Sequence, residues 1–191
     1  MKKAKLPSGD LSIHSENDLI QTCLHKPCGH VIILADRREF MELLIRRFDE
    51  LENRQLYEIL KVRSEVFVVE QTCVYLDIDG IDPGAVHIFY EDEGKIYGYL
   101  RVFWKDAETA QIGRVLSKER GRGFGYKVLQ EGVKYAVEVM KAEKIYLEAQ
   151  TYAIGFYQKA GFEAVSEEFL EDGIPHVKMI RLTAPEELKK I

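Results

Sequence analysis

Cysteine is scarce in this chain. Three occur in 191 residues, Cys23, Cys28 and Cys73. So sparse and odd a set gives no disulfide framework, and a reducing cytoplasm is the simplest setting. Long apolar runs are missing too. No stretch approaches eighteen apolar residues, so no membrane partner or span is expected. Met1-Lys2-Lys3 is basic, but no apolar core follows at once. Residues 31–35 come too late and are too few for a secretory signal. Basic runs are absent outside one loop and the chain ends, and the net charge is −5. Nucleic acid is therefore not an expected partner, whereas a cationic substrate is compatible with the charge. There is no internal repeat and no low-complexity tract.

What is present suits one folded domain with an appendage. Hydrophobic residues make up 46% and charged residues 31%, enough for a core and a charged surface. Residues 1–40 are weakly patterned. A short first strand is expected over residues 40–48. Leu56, Ile59, Leu60, Arg63 and Phe67 mark a helix face. Residues 86–90 and 96–104 read as a hairpin around Glu91-Asp92-Glu93-Gly94. A strand at 110–116 precedes a helix with Val128, Leu129, Gly132, Val133, Ala136 and Met140 on one face. Another strand at 145–150 and a helix follow. Strands near 162–169 and 176–182, joined by Asp172-Gly173, close the chain. Antiparallel strands first and helical crossovers later predict an α/β (α+β) fold. Its sheet should be mixed and mostly antiparallel, of about six to seven strands, with helices on both faces.

Between the strand at 110–116 and the next helix stands Arg120-Gly121-Arg122-Gly123-Phe124-Gly125. Amides at a helix start lack intrahelical partners, and the dipole is positive there. Glycine lets a bulky anion approach, so the segment reads as a phosphate cradle. The spacing matches neither Gly-x-x-x-x-Gly-Lys-Ser/Thr nor the dinucleotide Gly-x-Gly-x-x-Gly. Gly113, inside its strand, marks a bulge or a place where a ligand crowds the backbone.

Arg120-x-x-Gly123-x-Gly125 resembles the pyrophosphate loop of the GNAT acetyltransferases. Ile145-Tyr146-Leu147-Glu148-Ala149-Gln150, followed by Ile154-Gly155-Phe156-Tyr157-Gln158-Lys159-Ala160-Gly161-Phe162, is similar to the family's next strand and closing helix. Phe67-Val68-Val69-Glu70-Gln71, the run Asp77-Ile78-Asp79-Gly80-Ile81-Asp82, and Glu171-Asp172-Gly173-Ile174-Pro175-His176 resemble its ElaA-like branch. The resemblance spans about residues 41–183 and implies a GNAT-like fold using acetyl-CoA and no metal. The cofactor-binding residues it implies are Arg120, Gly121, Arg122, Gly123, Phe124 and Gly125 for the pyrophosphate. The backbone of Val115 and Leu116, where the strand pair splays, would take the pantetheine arm. Tyr157 would stand beside the sulfur.

The implied reaction is N-acetyl transfer to a primary amine, on a small molecule or a lysine side chain, directly in a ternary complex. Such an amine, with a pKa near 10.4, costs roughly 4–5 kcal/mol to neutralise at pH 7. A base is therefore needed, and Glu70, Glu148 and His176 are the candidates. Histidine titrates nearest neutrality. The leaving thiolate needs a donor, and protonation by a tyrosine near pKa 10 is uphill by roughly 2 kcal/mol. Two alternatives stand beside this reading. One is an acyl-homoserine-lactone-synthase-like enzyme, whose pattern resembles Arg63-x-x-x-Phe67 followed by Asp77-x-Asp79-x-x-Asp82. The other is a CoA-binding regulatory module without catalysis. A homodimer stays open.

Asp77, Asp79 and Asp82 lack the distal glutamate of a calcium loop. They either attract a cationic acceptor or pair with Arg63, which sits on an otherwise apolar helix face and needs carboxylates if buried. Cys73 reads as a packed thiol. Cys23, His25, Cys28 and His30 lie too close together for good tetrahedral zinc geometry. Met41 is expected to be the initiator, with residues 1–40 upstream sequence read in frame. Arg37-Arg38 would be encoded there by AGG-AGG, a ribosome-binding sequence.

Overall fold

The computed structural model describes residues 41–183. The Cys23–His30 cluster and the assignment of residues 1–40 to upstream sequence lie outside the described residues. The order is β1 (Glu42–Arg47), α1 (Asn53–Arg63), β2 (Val86–Asp92), β3 (Lys95–Trp104), β4 (Thr109–Ser117), α2 (Phe124–Glu138), β5 (Lys144–Gln150), α3 (Ile154–Gln158), β6 (Glu163–Ala164), β7 (Phe169–Glu171) and β8 (Ile174–Leu182). α1 runs on into a π-helical stretch, Ser64–Glu70. The strands form one sheet in the order β1-β2-β3-β4-β5-β8-β6, with β7 also on β8. The β4–β5 pair is parallel and the other pairs are antiparallel.

The mixed, mostly antiparallel sheet is thus as expected, with eight strands. The expected strand over 162–169 is instead two short ones, β6 and β7. The intervening Ser166 accepts the Lys178 N–H with its hydroxyl, at 2.9 Å. Side-chain bonding of this kind competes with a continuing ladder.

Alternation divides the sheet into two faces. Ile88, Leu100, Val102, Ile112, Leu147 and Met179 pack with Val128, Leu129 and Ala136 of α2. Leu44, Phe89, Tyr99 and Leu116 point the other way, onto Ile59, Val62 and Val66. A Cβ on Gly132 would lie 2.7 Å from a Leu100 methyl, so glycine lets α2 settle close on β3. Burying a leucine or isoleucine side chain in either layer is worth about 1.5–3 kcal/mol.

Candidate active site

β4 and β5 pair only over Thr109–Gln111 and Lys144–Tyr146. Beyond Gln111 they part. Just there the register between β3 and β4 shifts, between Tyr99 and Arg101. Arg114 takes φ +57°, a left-handed conformation that costs a non-glycine residue about 1–2 kcal/mol. The irregularity expected at Gly113 therefore falls one residue later. Arg114 is held by its side chain, which donates to Asp77 at 2.7 Å and Asp79 at 3.1 Å. The parting opens a cleft of about 540 Å³ whose lining includes Val115, Leu116, Arg120, Gly125, Glu148, Tyr157 and His176.

On one side of the cleft lies the glycine loop. Gly121 and Gly123 have φ of +79° and +81°, and a Cβ on either would meet nothing within 4 Å. Gly123 is the N-cap of α2 and supplies no side-chain cap. The amides at the start of α2, Phe124 and Gly125 among them, therefore lack intrahelical partners. Lys118, Arg120 and Arg122 surround the loop and pair with Glu65, Glu70 and Glu119. These are exposed pairs, each worth at most about 1 kcal/mol, so an anion of higher charge can replace the carboxylates. The loop fits a pyrophosphate on this ground. Glu70, expected as a base, is exposed, bound to Arg120, and outside the cleft lining.

The other side is made from β5, β7 and β8. Tyr146, Glu148 and Gln150 alternate with the buried Leu147 and Ala149. In the antiparallel register they stand opposite Ile180, Lys178 and His176. The Tyr146 hydroxyl donates to Glu148 at 2.6 Å. His176 is buried, and its Nδ1 lies 2.8 Å from the Ile174 carbonyl. A carbonyl can only accept, so Nδ1 carries the proton and the neutral ring keeps its lone pair on Nε2. Nε2 stands 3.8 Å from Glu171. Burial pushes the Glu171 carboxyl up, the nearby charge of Glu148 adds to this, and His176 opposes it. Glu171 was not singled out from the sequence, because only the β7–β8 hairpin brings it to Glu148.

Tyr157 lies on α3, edge-on to Phe156 and Phe162 at ring separations of 5.0 and 6.2 Å. Burial holds its proton well above the usual tyrosine range, with a small addition from Tyr152. Complete transfer to a thiolate is then more uphill than for a free tyrosine. The hydroxyl is suited to donate a hydrogen bond and keep its proton.

The acidic run has a structural task. Arg63 is fully buried and bonds Asp77 at 2.9 Å and Asp82 at 2.7 Å. Arg101, also buried, bonds Asp82 at 2.8 Å and contacts Asp79. With Arg114, three arginines and three aspartates tie residues 77–82 to α1, β3 and β4. Burial raises the Asp79 carboxyl, but hydrogen bonds from Arg101 and the Ile81 amide, with the arginine charges, hold it down at about 2. As acceptor ligands, Asp77 and Asp82 are corrected: both are buried and paired with arginine. Asp79 does line the cleft but is also bound to Arg101 and Arg114. Arg101 and Arg114 escaped sequence reading, since each lies on a strand far from the aspartates. Cys73 is buried, and its Sγ donates to the Asp172 carbonyl at 3.5 Å. Among the described residues no cluster of three or more His, Cys, Asp or Glu could hold a metal. No helix among them is long and apolar enough to cross a membrane.

A glycine-rich helix start beside a splayed parallel strand pair is the arrangement of an acyltransferase that takes its acyl group from CoA. The chain belongs to the acetyltransferase (GNAT) domain family, whose model matches residues 52–183. It is 38% identical over 138 residues to protein ElaA of Escherichia coli, covering 69% of this chain and 90% of that one. It is 36% identical over 143 residues to a UPF0039 protein of Schizosaccharomyces pombe, covering 73% and 95%. An acyl-CoA N-acyltransferase from Pseudomonas aeruginosa superposes with a TM-score of 0.70 at 34% identity, over 74% of this chain and 99% of the other. The crystal structure of E. coli ElaA gives 0.70 at 36% identity, with the same coverage. The protein is an acyltransferase enzyme, and these relatives give the non-catalytic alternative no support. A CoA-dependent acyl-homoserine lactone synthase has TM-score 0.60 at 14% identity, which shows a shared fold.

Proposed function

We propose that this acyltransferase moves an acetyl group from acetyl-CoA to a primary amine, on a small molecule or a lysine side chain, within a ternary complex. The observation that carries the reading is the splay after Gln111, which joins the amide-rich loop and an acidic, histidine-bearing wall in one cleft. The pyrophosphate would rest on residues 120–125 and the pantetheine arm on the backbone of Val115 and Leu116.

The ammonium must first lose a proton. His176 Nε2 is the base best placed to take it, with Glu148 and Glu171 beside it. The neutral nitrogen attacks the thioester carbonyl and the C–N bond forms. The C–S bond then breaks, and the second nitrogen proton leaves with the thiolate. Tyr157 donates to the developing charge on sulfur, an interaction made chiefly in the transition state. Cys73 is engaged with a carbonyl, which suits direct transfer without an acyl-enzyme. A cytoplasmic setting, as a source of acetyl-CoA, is part of this proposal.

Steady-state kinetics over a panel of amines and acyl-CoAs tests it, with products identified by mass. Acetylated amine and intersecting initial-rate lines are expected. Parallel lines would overturn direct transfer. Lactone formation from an acyl-CoA would favour the synthase alternative, whose arginine–aspartate pattern is here a buried tie.

A further inference from the structure

Hydrogen-bond acceptors dominate the β5–β7–β8 wall. Glu148 and Glu171 present carboxylates to one space, and Nε2 of the nine-tenths buried His176 makes no hydrogen bond. Three neighbouring donors are engaged. The Tyr146 hydroxyl is on Glu148, the Gln150 amide on Gln71 at 3.0 Å, and Arg114 on Asp77 and Asp79. Arg101 Nε is buried without a hydrogen bond, but it belongs to the β4 side, 3.8 Å from where a Cβ on Gly113 would sit. Two carboxylates and one lone pair facing a common space call for a ligand with several N–H donors and positive charge.

We infer that the acceptor is an aliphatic amine carried as an ammonium ion, seated on Glu148, Glu171 and His176 Nε2, and that a carboxylate adjacent to the amine excludes an acceptor. This rests on the proposed amine acetylation and narrows it to alkylamine and lysine-type acceptors, against the α-amines of amino acids. An ammonium has three donors for the three acceptors. Its charge offsets the burial that, together with the nearby charge of Glu148, raises the Glu171 carboxyl. An adjacent carboxylate would face Glu148, Glu171 and Asp172, while Lys178, opposite Glu148, lies outside the cleft lining with its ammonium over the Phe169 ring.

The test uses three acceptors of one chain length with acetyl-CoA: hexylamine, 6-aminohexanoate and 2-aminohexanoate. The expected order of kcat/KM is hexylamine above 6-aminohexanoate, with 2-aminohexanoate at least about a hundredfold below hexylamine. Glu171→Gln should raise the hexylamine KM about tenfold and leave the acetyl-CoA KM within about twofold. A purely structural role for Glu171 would not move the acceptor KM alone. Equal use of 2-aminohexanoate, or an unchanged hexylamine KM in Glu171→Gln, overturns the inference while leaving amine acetylation standing. Acyl-CoA consumption in a wider acceptor panel with no amine acetylated overturns both. Glu148→Gln gives a second reading of the same wall, and its acceptor KM should rise as well.

Discussion

On one wall of the cleft the working groups belong to a single stretch, residues 113–125. On the other they come from Glu148, Glu171 and His176, on three strands. The first wall acts through backbone: left-handed glycines and the free amides of a helix start. Its Arg120 and Arg122 sit in exposed pairs with Glu70 and Glu119. The second wall acts through side chains whose neighbours set their protonation and orientation. A recurring donor such as CoA suits a fixed backbone cradle. Side chains such as those of the second wall can change without disturbing the sheet.

The largest expected effect breaks the buried arginine–aspartate tie on the β4 side of the cleft. Residues 75, 79 and 81 line the cleft, and the arginine–aspartate tie holds them there. Arg63→Ala leaves Asp77 and Asp82 buried with a partner lost, at a cost of about 3–5 kcal/mol. Chemical denaturation should show that loss. A loss under about 1 kcal/mol would mean that the tie does not hold residues 77–82 in place.

Next comes the hydroxyl at which the two walls would meet in the reaction. Tyr157→Phe should lower kcat about 30- to 100-fold, with the acetyl-CoA KM within about twofold. Unchanged turnover, in an assay limited by chemistry, would remove Tyr157 from the mechanism.

Acid probes the same tie without mutation. Asp79 is held at about 2 in the folded protein against a usual 3.8. Its folded pKa is depressed, so its contribution is present above pH 3.8 and is lost as pH falls through about 2. After allowance for a carboxylate that is 26% exposed, that contribution is about 1–2 kcal/mol. Denaturant midpoints in Asp79→Asn should therefore depend less on pH between about 4 and 2 than in the parent protein.

The first wall should break in the opposite sense. Gly123→Val forces a branched residue to φ near +81° and places a side chain in the open cradle. CoA affinity should fall about tenfold by calorimetry, with strain of about 1–2 kcal/mol and acceptor KM unchanged. Unaltered CoA affinity would end the cradle assignment.

The smallest effect is expected at Glu70. Glu70→Gln removes only an exposed pair with Arg120, so stability should change by less than about 1 kcal/mol and turnover by less than about twofold. A large loss of turnover would restore Glu70 as the base.

Local sequence was enough for the first wall. The phosphate cradle proposed there depends on glycine spacing and on a helix start, both fixed by consecutive residues. Periodicity also marked α2, where Val128, Leu129, Gly132 and Ala136 are buried as their spacing implies. It failed over 162–169, where Ser166 bonds the backbone of β8 and the strand breaks in two. Arg63 was readable because a cation on an apolar face demands carboxylates. The same rule could not reach Arg101 and Arg114, whose aspartate partners lie 19 to 37 residues away in sequence.

By itself, then, the sequence determined the sheet-and-crossover pattern, the glycine-bearing helix start and the need for carboxylates around Arg63. Each follows from the chemistry of neighbouring residues and from 2.0- or 3.6-residue periodicity. Only the tertiary structure decided that Asp77 and Asp82 serve arginines, that Glu70 lies outside the cleft, and that Glu171 meets Glu148 and His176. Those outcomes depend on strand register and on where β4 leaves β5, which are set by packing between segments distant along the chain.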